Sequence, residues 1–368
     1  MIPFMKKYAG NIVVFYDKGC ADGELSAVTA HMALAKGANI RLVPIGYGKP
    51  EERMKLFQDH IRPGDHIMFV DTAPLPAELA VLRTLNERPG RVHNVTIIDH
   101  HLTSYKNFHD YEAPGVEIII DRKEKSAAAL CWKTFFRGRK MPELYSMVGK
   151  MEPEGQLTGH RDYQIAAYID LQAGERSRDP VGTYEKLLQM NADDMAGKGM
   201  FAHYQNCLNI DRLLDNVRYT QLEIEPGKIL TVPVFEGNVR NYGRLINQAL
   251  TDFSRNDWYC PGVALMYFEQ NDEVIASIRT IRGKSACKTV ELLLEQKLGL
   301  RGGGHERAAV AVFAGYVFHD HFPLYTKAEI CAAAGGNYRL QIPVRPRIRY
   351  ADQFRIGADS YPVPGFAA

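Results

Sequence analysis

Three short apolar runs in the first hundred residues each stop at an aspartate. Residues 11–16 (NIVVFY) run into Asp17, residues 66–70 (HIMFV) into Asp71, and residues 95–98 (VTII) into Asp99-His100-His101. Runs this short and continuous suit strands covered on both faces, as in a parallel sheet. Residues 39–45 (NIRLVPI) form a further strand candidate. The segments between them have helical spacing. Residues 21–36 place Leu25, Val28, Met32 and Ala35 on one face, residues 51–60 form a second helix, and residues 76–86 begin with Pro76 in the first turn. Strand–helix alternation implies a parallel sheet with right-handed crossovers. In such a sheet the carboxyl ends of the strands share one rim, where ligands bind. Aspartates far apart in sequence then meet at one place.

Downstream the pattern changes twice. Residues 126–222 read as mainly helical, most clearly 126–137, with Ser126 as N-cap, and residues 152–159 read as a loop. Beyond about residue 226 come strand candidates at 228–235, 263–268 and 274–278, then a helix at 287–298. A glycine-rich stretch at 300–305 follows, leading into a β run at 308–313. The fold expected is α/β: an N-terminal parallel-sheet domain over 1–215, a smaller mixed α/β domain over 226–340, and a cleft between them. The proline-marked tail, 341–368, reads as an extended arm.

Composition narrows the function classes. The 368 residues carry 45 Lys plus Arg against 43 Asp plus Glu, a net charge of +2, which gives little non-specific grip on duplex nucleic acid. At 46% hydrophobic and 24% charged, the chain is neither disordered nor a disulfide scaffold. Its six cysteines, Cys20, Cys131, Cys207, Cys260, Cys287 and Cys331, form no CxxC pair, which speaks against a zinc ribbon and for a reducing compartment. Neither a signal peptide nor a membrane span is read from the sequence, so the expected location is cytoplasmic.

Carboxylates with a neutral imidazole are ligands for Mn²⁺ or Mg²⁺. Two such ions ~3.5–4 Å apart can activate water and clamp a phosphoryl group. Taken singly, Asp22 reads better as a helix cap or turn former, and Asp71 equally well as the cap of the next helix. Their joint placement after successive strands is what points to a metal centre.

These motifs resemble the DHH phosphoesterase superfamily. Asp99-His100-His101 stands as the name motif. Residues 16–23 (YDKGCADG) resemble its first motif and Phe69-Val70-Asp71 its second. The segment 126–129 (SAAA) resembles the helix after the DHH strand. Residues 302–309 (GGGHERAA) look like the glycine-rich signature of the associated DHHA1 domain, and Ser277-Ile278-Arg279 like its strand with a substrate-facing arginine. The resemblance implies a phosphohydrolase using one or two Mn²⁺ or Mg²⁺ ions. Asp71 would bridge them, Asp22 and His100 would ligate the second, and Asp17 would offer an oxygen to the first. His101 would face the scissile phosphate and Asp99 would orient its neighbours. Gly302, Gly303, Gly304, His305 and Arg279 would bind substrate.

Asp17 stands where the family has His, and Cys20 where it has Asp, so the first site is expected to be weakened toward hard ions. The fourth motif is not clean, with Glu152 the nearest carboxylate and Asp162 and Asp170 further on. The substrate expected is a short oligonucleotide, a dinucleotide or polyphosphate, with no membrane partner; monomer and homodimer both stay open. The rival reading is a degenerate DHH-fold protein that binds nucleotide without hydrolysis. Lesser candidates are Tyr16 as a base-stacking ring, the His160–Asp162 pair, Arg282, and Arg345, Arg347 and Arg349 on one strand face.

Overall fold

The alternation of apolar runs and helical segments folds into an open sheet with helices on both faces. The computed structural model describes residues 10–46, 48–153, 157–215, 217–237, 262–280, 283–326 and 329–330. The chain divides into two units, Met1–Met200 and Phe201–Ala368.

The first unit opens with β1 (Gly10–Asp17), α1 (Ala21–Leu34), β2 (Ala38–Ile45) and α2 (Pro50–His60). It continues with β3 (His66–Val70), α3 (Pro76–Leu82), β4 (Val95–Asp99), α4 (Leu102–Phe108) and β5 (Val116–Ile120). The strands pair in parallel in the order β2-β1-β3-β4-β5. The register sets Tyr16 beside Val70 and Val70 beside Ile98, so Asp17, Asp71 and Asp99 end three neighbouring strands at the same level.

Within each apolar run the side chains alternate between two cores, as a pleated strand requires. Ile12, Val14, Tyr16, Met68, Val70 and Ile98 pack with residues of α1 and with Leu130, Cys131 and Phe135. Val13, Phe15, Ile67, Phe69 and Ile97 pack on the opposite face with Phe57, Leu79 and Phe108. There Phe15 meets Phe57 edge-on at 5.1 Å and stacks on Phe69 at 5.2 Å. Burying each such ring is worth roughly 1.5–3 kcal/mol.

After the sheet come α5 (Ala127–Phe135), α6 (Glu143–Met151), α7 (Gly159–Leu171), α8 (Ala173–Arg178), α9 (Pro180–Gln189) and α10 (Ala192–Asp215), within which the division between units falls. Ser126 caps α5, accepting from Ala129 N at 3.1 Å. A third apolar cluster joins α1, α5, α6, α7 and α9 around Tyr145, Val148, Ile169 and Tyr184.

The second unit contains β6 (Arg218–Glu225), β7 (Lys228–Glu236), β8 (Val263–Gln270), β9 (Glu273–Thr280), α11 (Ala286–Glu295), β10 (Arg301–Gly304), β11 (Ala308–Ala314) and α12 (Gly315–His321). Its sheet runs β10-β11-β9-β8-β7-β6, antiparallel except for the parallel β7–β8 pair. The fold is α/β: a five-strand parallel sheet in the N-terminal unit and a mixed six-strand sheet in the C-terminal one.

Several local expectations need correction. The helix expected over 76–86 stops at Leu82, and Asn86 turns left-handed at φ 60°. The helix expected to reach residue 298 ends at Glu295. Strand pairing resumes at Arg218, inside the stretch expected to be helical to residue 222. The stretch 300–305 contains edge strand β10, because Arg301–Gly304 pair with β11. Arg282, Cys260, Cys331 and the arm 341–368 with Arg345, Arg347 and Arg349 lie outside the described residues. Among the described residues, no helix is long and apolar enough to cross a membrane.

Candidate metal centre

At the end of β1 the chain turns through Asp17-Lys18-Gly19-Cys20 and enters α1 at Ala21. The first turn of α1 lies against the strand end. A Cβ on Gly23 would stand 2.7 Å from the Asp17 carbonyl oxygen and 2.9 Å from its nitrogen, so only glycine permits this approach. Asp22 is not the cap of its own helix. It sits inside the first turn of α1 and reaches across to α5, accepting from Ala127 N and Ala128 N at 2.7 Å each. One carboxylate therefore satisfies two N–H groups at the start of a helix 105 residues downstream, where a negative charge is favoured.

Asp71 follows β3 in a left-handed conformation, φ 57°, with its N–H bonded to Ile98 O at 3.0 Å. It is 1% exposed, and neither carboxylate oxygen accepts a hydrogen bond. It does not cap the next helix, whose N-cap is Leu75. Asp99, in contrast, is saturated. Oδ1 accepts from His100 N at 2.7 Å, His101 N at 3.2 Å and His101 Nδ1 at 2.7 Å, and Oδ2 accepts from Ser104 Oγ at 2.5 Å. His100 donates Nδ1–H to Glu124 O at 3.4 Å, which turns the Nε2 lone pair toward Asp22 Oδ2 and Asp71 Oδ1, each 3.4 Å away. That is the ligand form of imidazole.

Three sets of donor atoms gather here, each within 4.8 Å of one another: Asp17, Cys20 and Asp71; Asp22, His100 and Glu152; and Asp71, Asp99, His100 and His101. Cys20 Sγ also lies 3.9 Å from Glu152 Oε1. The four metal ligands expected from the sequence, Asp17, Asp22, Asp71 and His100, thus fall in overlapping clusters at the strand ends, and Glu152 from the end of α6 joins them.

The electrostatics follow from this crowding. Burial and then the charge of Asp22 hold the Asp71 carboxyl well above the usual range. Burial also raises Asp22, against the pull of His100 and the two helix N–H groups. Burial and then Glu152, Asp71, Asp17 and Asp22 push the Cys20 thiol well up. The Asp99–His101 pair behaves oppositely. Burial would raise Asp99, but the His101 ring holds it far below its ordinary value. Burial would lower His101, but Asp99 pushes it up to about 9. A cluster of buried carboxylates with one aspartate accepting nothing is what a divalent cation would neutralise. The donor set fits a metal ion.

The expected substrate residues belong to the second unit. Gly302, Gly303 and Gly304 pair with Ala311, Val310 and Ala309. His305 N donates to Ala308 O at 2.8 Å, closing the hairpin, and Ala308 stands in register with Arg279. Arg279 Nε donates to Ser277 Oγ at 3.0 Å. Packing already demands two of these glycines. A Cβ on Gly302 would meet Val310 O at 2.5 Å and Val290 Cγ1 at 2.6 Å, and one on Gly304 would meet Ala308 O at 2.7 Å.

Of the lesser candidates, Tyr16 is a buried core ring whose hydroxyl is pushed up to about 12 by burial and by Glu24. Asp162 anchors the start of α7, accepting from Thr158 N at 2.9 Å and Lys150 Nζ at 3.0 Å. Sequence reasoning missed Ser104 and the clasp behind the motif-one loop. In that clasp Arg176 Nε lies 2.9 Å from Glu24 Oε2, both side chains are buried, and Tyr184 OH donates to Ala21 O at 2.8 Å. Acidic Glu24 in the first turn of a buried helix was the available signal.

No protein-family profile and no curated protein matches the chain. Solved structures do resemble it. An exopolyphosphatase-related protein from Bacteroides fragilis is 13% identical with a TM-score of 0.43, over 86% of this chain and 93% of that one. The pGpG-specific phosphodiesterase PggH from Vibrio cholerae is 13% identical with a TM-score of 0.43, over 89% and 99%. CDC45 from Entamoeba histolytica is 8% identical with a TM-score of 0.40, over 86% and 95%.

Proposed function

We propose that the chain is a divalent-metal-dependent phosphohydrolase of the DHH type, cleaving a phosphodiester or phosphoanhydride bond of a short nucleotide substrate. The observation that carries the reading is Asp71, buried with both oxygens accepting no hydrogen bond, at the centre of the converging donor clusters. Asp71, Asp22, His100 and Asp17 would hold one or two ions, with Glu152 as a further oxygen donor. Bound there, Mn²⁺ or Mg²⁺ would supply Lewis acidity and lower the pKa of a coordinated water.

The chain's own side chains supply the rest. Asp99 fixes the His101 ring through Nδ1 and favours its cationic form, in which Nε2 would donate to a phosphoryl oxygen as negative charge develops. Arg279 and His305 would contact substrate phosphate, and the Gly302–Gly304 strand would bring backbone N–H groups close to it. Near-neutral net charge favours a short substrate over a long polymer.

The test is an assay of short RNA, linear and cyclic dinucleotides, pyrophosphate and polyphosphate with Mn²⁺ and Mg²⁺. Hydrolysis of one of them that disappears on chelation supports the reading. Metal binding without any turnover would favour nucleotide binding instead, and absence of both would refute the metal centre.

A further inference from the structure

Cys20 is the one member of the cluster whose chemistry does not match a hard ion. Its sulfur lies within 4.8 Å of oxygens of Asp17 and Asp71, at the turn that Gly23 holds tight against β1. An independent observation marks the same spot as a cation site: Asp71, 1% exposed, has two carboxylate oxygens that accept no hydrogen bond. Donor atoms around one tetrahedral ion stand roughly 3.3–3.8 Å apart, so a small closure of this triad completes three ligands. Two oxygens and a thiolate form a mixed donor set that suits borderline ions, whereas Mg²⁺ and Mn²⁺ take oxygen and imidazole.

We propose that Cys20 is itself a ligand of the ion held at Asp71, and that the Asp17–Cys20–Asp71 site takes a borderline divalent ion, zinc or iron(II), in preference to manganese or magnesium. The inference rests on the metal-centre reading above and specifies its first site. It turns the apparent weakening of motif one into a change of metal. The thiol releases its proton as the metal–sulfur bond forms, so binding releases a proton to solvent.

Cobalt(II) serves as the probe, because a thiolate ligand gives it a charge-transfer band in the near ultraviolet. Titrating metal-free full-length protein should raise that band to saturation. Cys20→Ser should abolish it while equilibrium dialysis still finds cobalt bound. Cys20→Asp should lower the zinc-over-manganese affinity ratio by about tenfold or more. Cobalt bound without the band, or a band that survives in Cys20→Ser, overturns Cys20 as a ligand and leaves the metal centre standing. No bound cobalt at all overturns the metal centre as well. Should the variants fail to fold, zinc-edge X-ray absorption on the unmodified protein decides: a sulfur at about 2.3 Å supports the proposal, and a shell of oxygen and nitrogen alone overturns it.

Discussion

Asp71 combines a left-handed backbone with a buried carboxylate that accepts no hydrogen bond, and both features cost stability. Asparagine tolerates the same backbone but removes the charge. Asp71→Asn should therefore raise the stability of chelated protein by about 1–3 kcal/mol in urea unfolding while lowering turnover at least about 10³-fold. Unchanged turnover would remove Asp71 from the site. His101 gives a pH signature. Burial would lower its pKa, yet Asp99 pushes it up to about 9, above its unfolded value near 6.5. A raised group stabilises fully below its unfolded pKa and loses that contribution as pH rises through the folded one. In chelated protein, the stability lost in His101→Gln should thus be greatest near pH 6, about 2–3 kcal/mol, and fade by pH 10. A pH-independent difference would mean the pair is not ionised as described.

Element by element, the site depends on how α1 begins. Arg176→Met would remove the cation facing buried Glu24, at a cost of about 3–5 kcal/mol in chemical denaturation, and Glu24→Gln in the same chain should recover part of it. Additive losses would show that the two side chains do not interact. Gly23→Ala drives a methyl into the Asp17 backbone and should weaken metal binding together with stability, the latter by about 1–3 kcal/mol. Elements legible in the sequence were those with a strong period. The fully buried β3 and β4 and the capped α5 announced themselves. Of the edge strands β2 was legible, but β5 and β10 were not: β5 is only partly buried and carries Glu117, and β10 is three-quarters glycine. Asp22 was legible as a member of the strand-end cluster, but its reach to Ala127 and Ala128 was not, because that contact exists only once the sheet has set the two helices side by side.

For the whole molecule, each unit has its own sheet and buried apolar residues, and the proposed ion binds side chains of the first alone. An ion that binds only folded protein stabilises it by about 2.7 kcal/mol at a hundred times its dissociation constant. Calorimetry of the full chain should show a transition of the first unit that climbs with added metal while a transition of the second stays in place; a common shift of all unfolding would contradict that assignment. The class of fold and most of the cluster could be read in advance, since aspartates at successive strand ends must share a rim. Glu152 was named in advance as the nearest carboxylate, but Asp162 and Asp170 competed with it, because the choice depends on where α6 ends. That geometry has a consequence for biosynthesis. The donors are scattered from position 17 to position 152, and the backbone groups that bind Asp22 belong to Ala127 and Ala128. A nascent chain still lacking α5 and α6 therefore has no backbone partner for Asp22 and no Glu152. A ribosome-stalled fragment ending near residue 120, which carries Asp17, Cys20 and Asp71 but neither of these, should hold cobalt more weakly than the full chain.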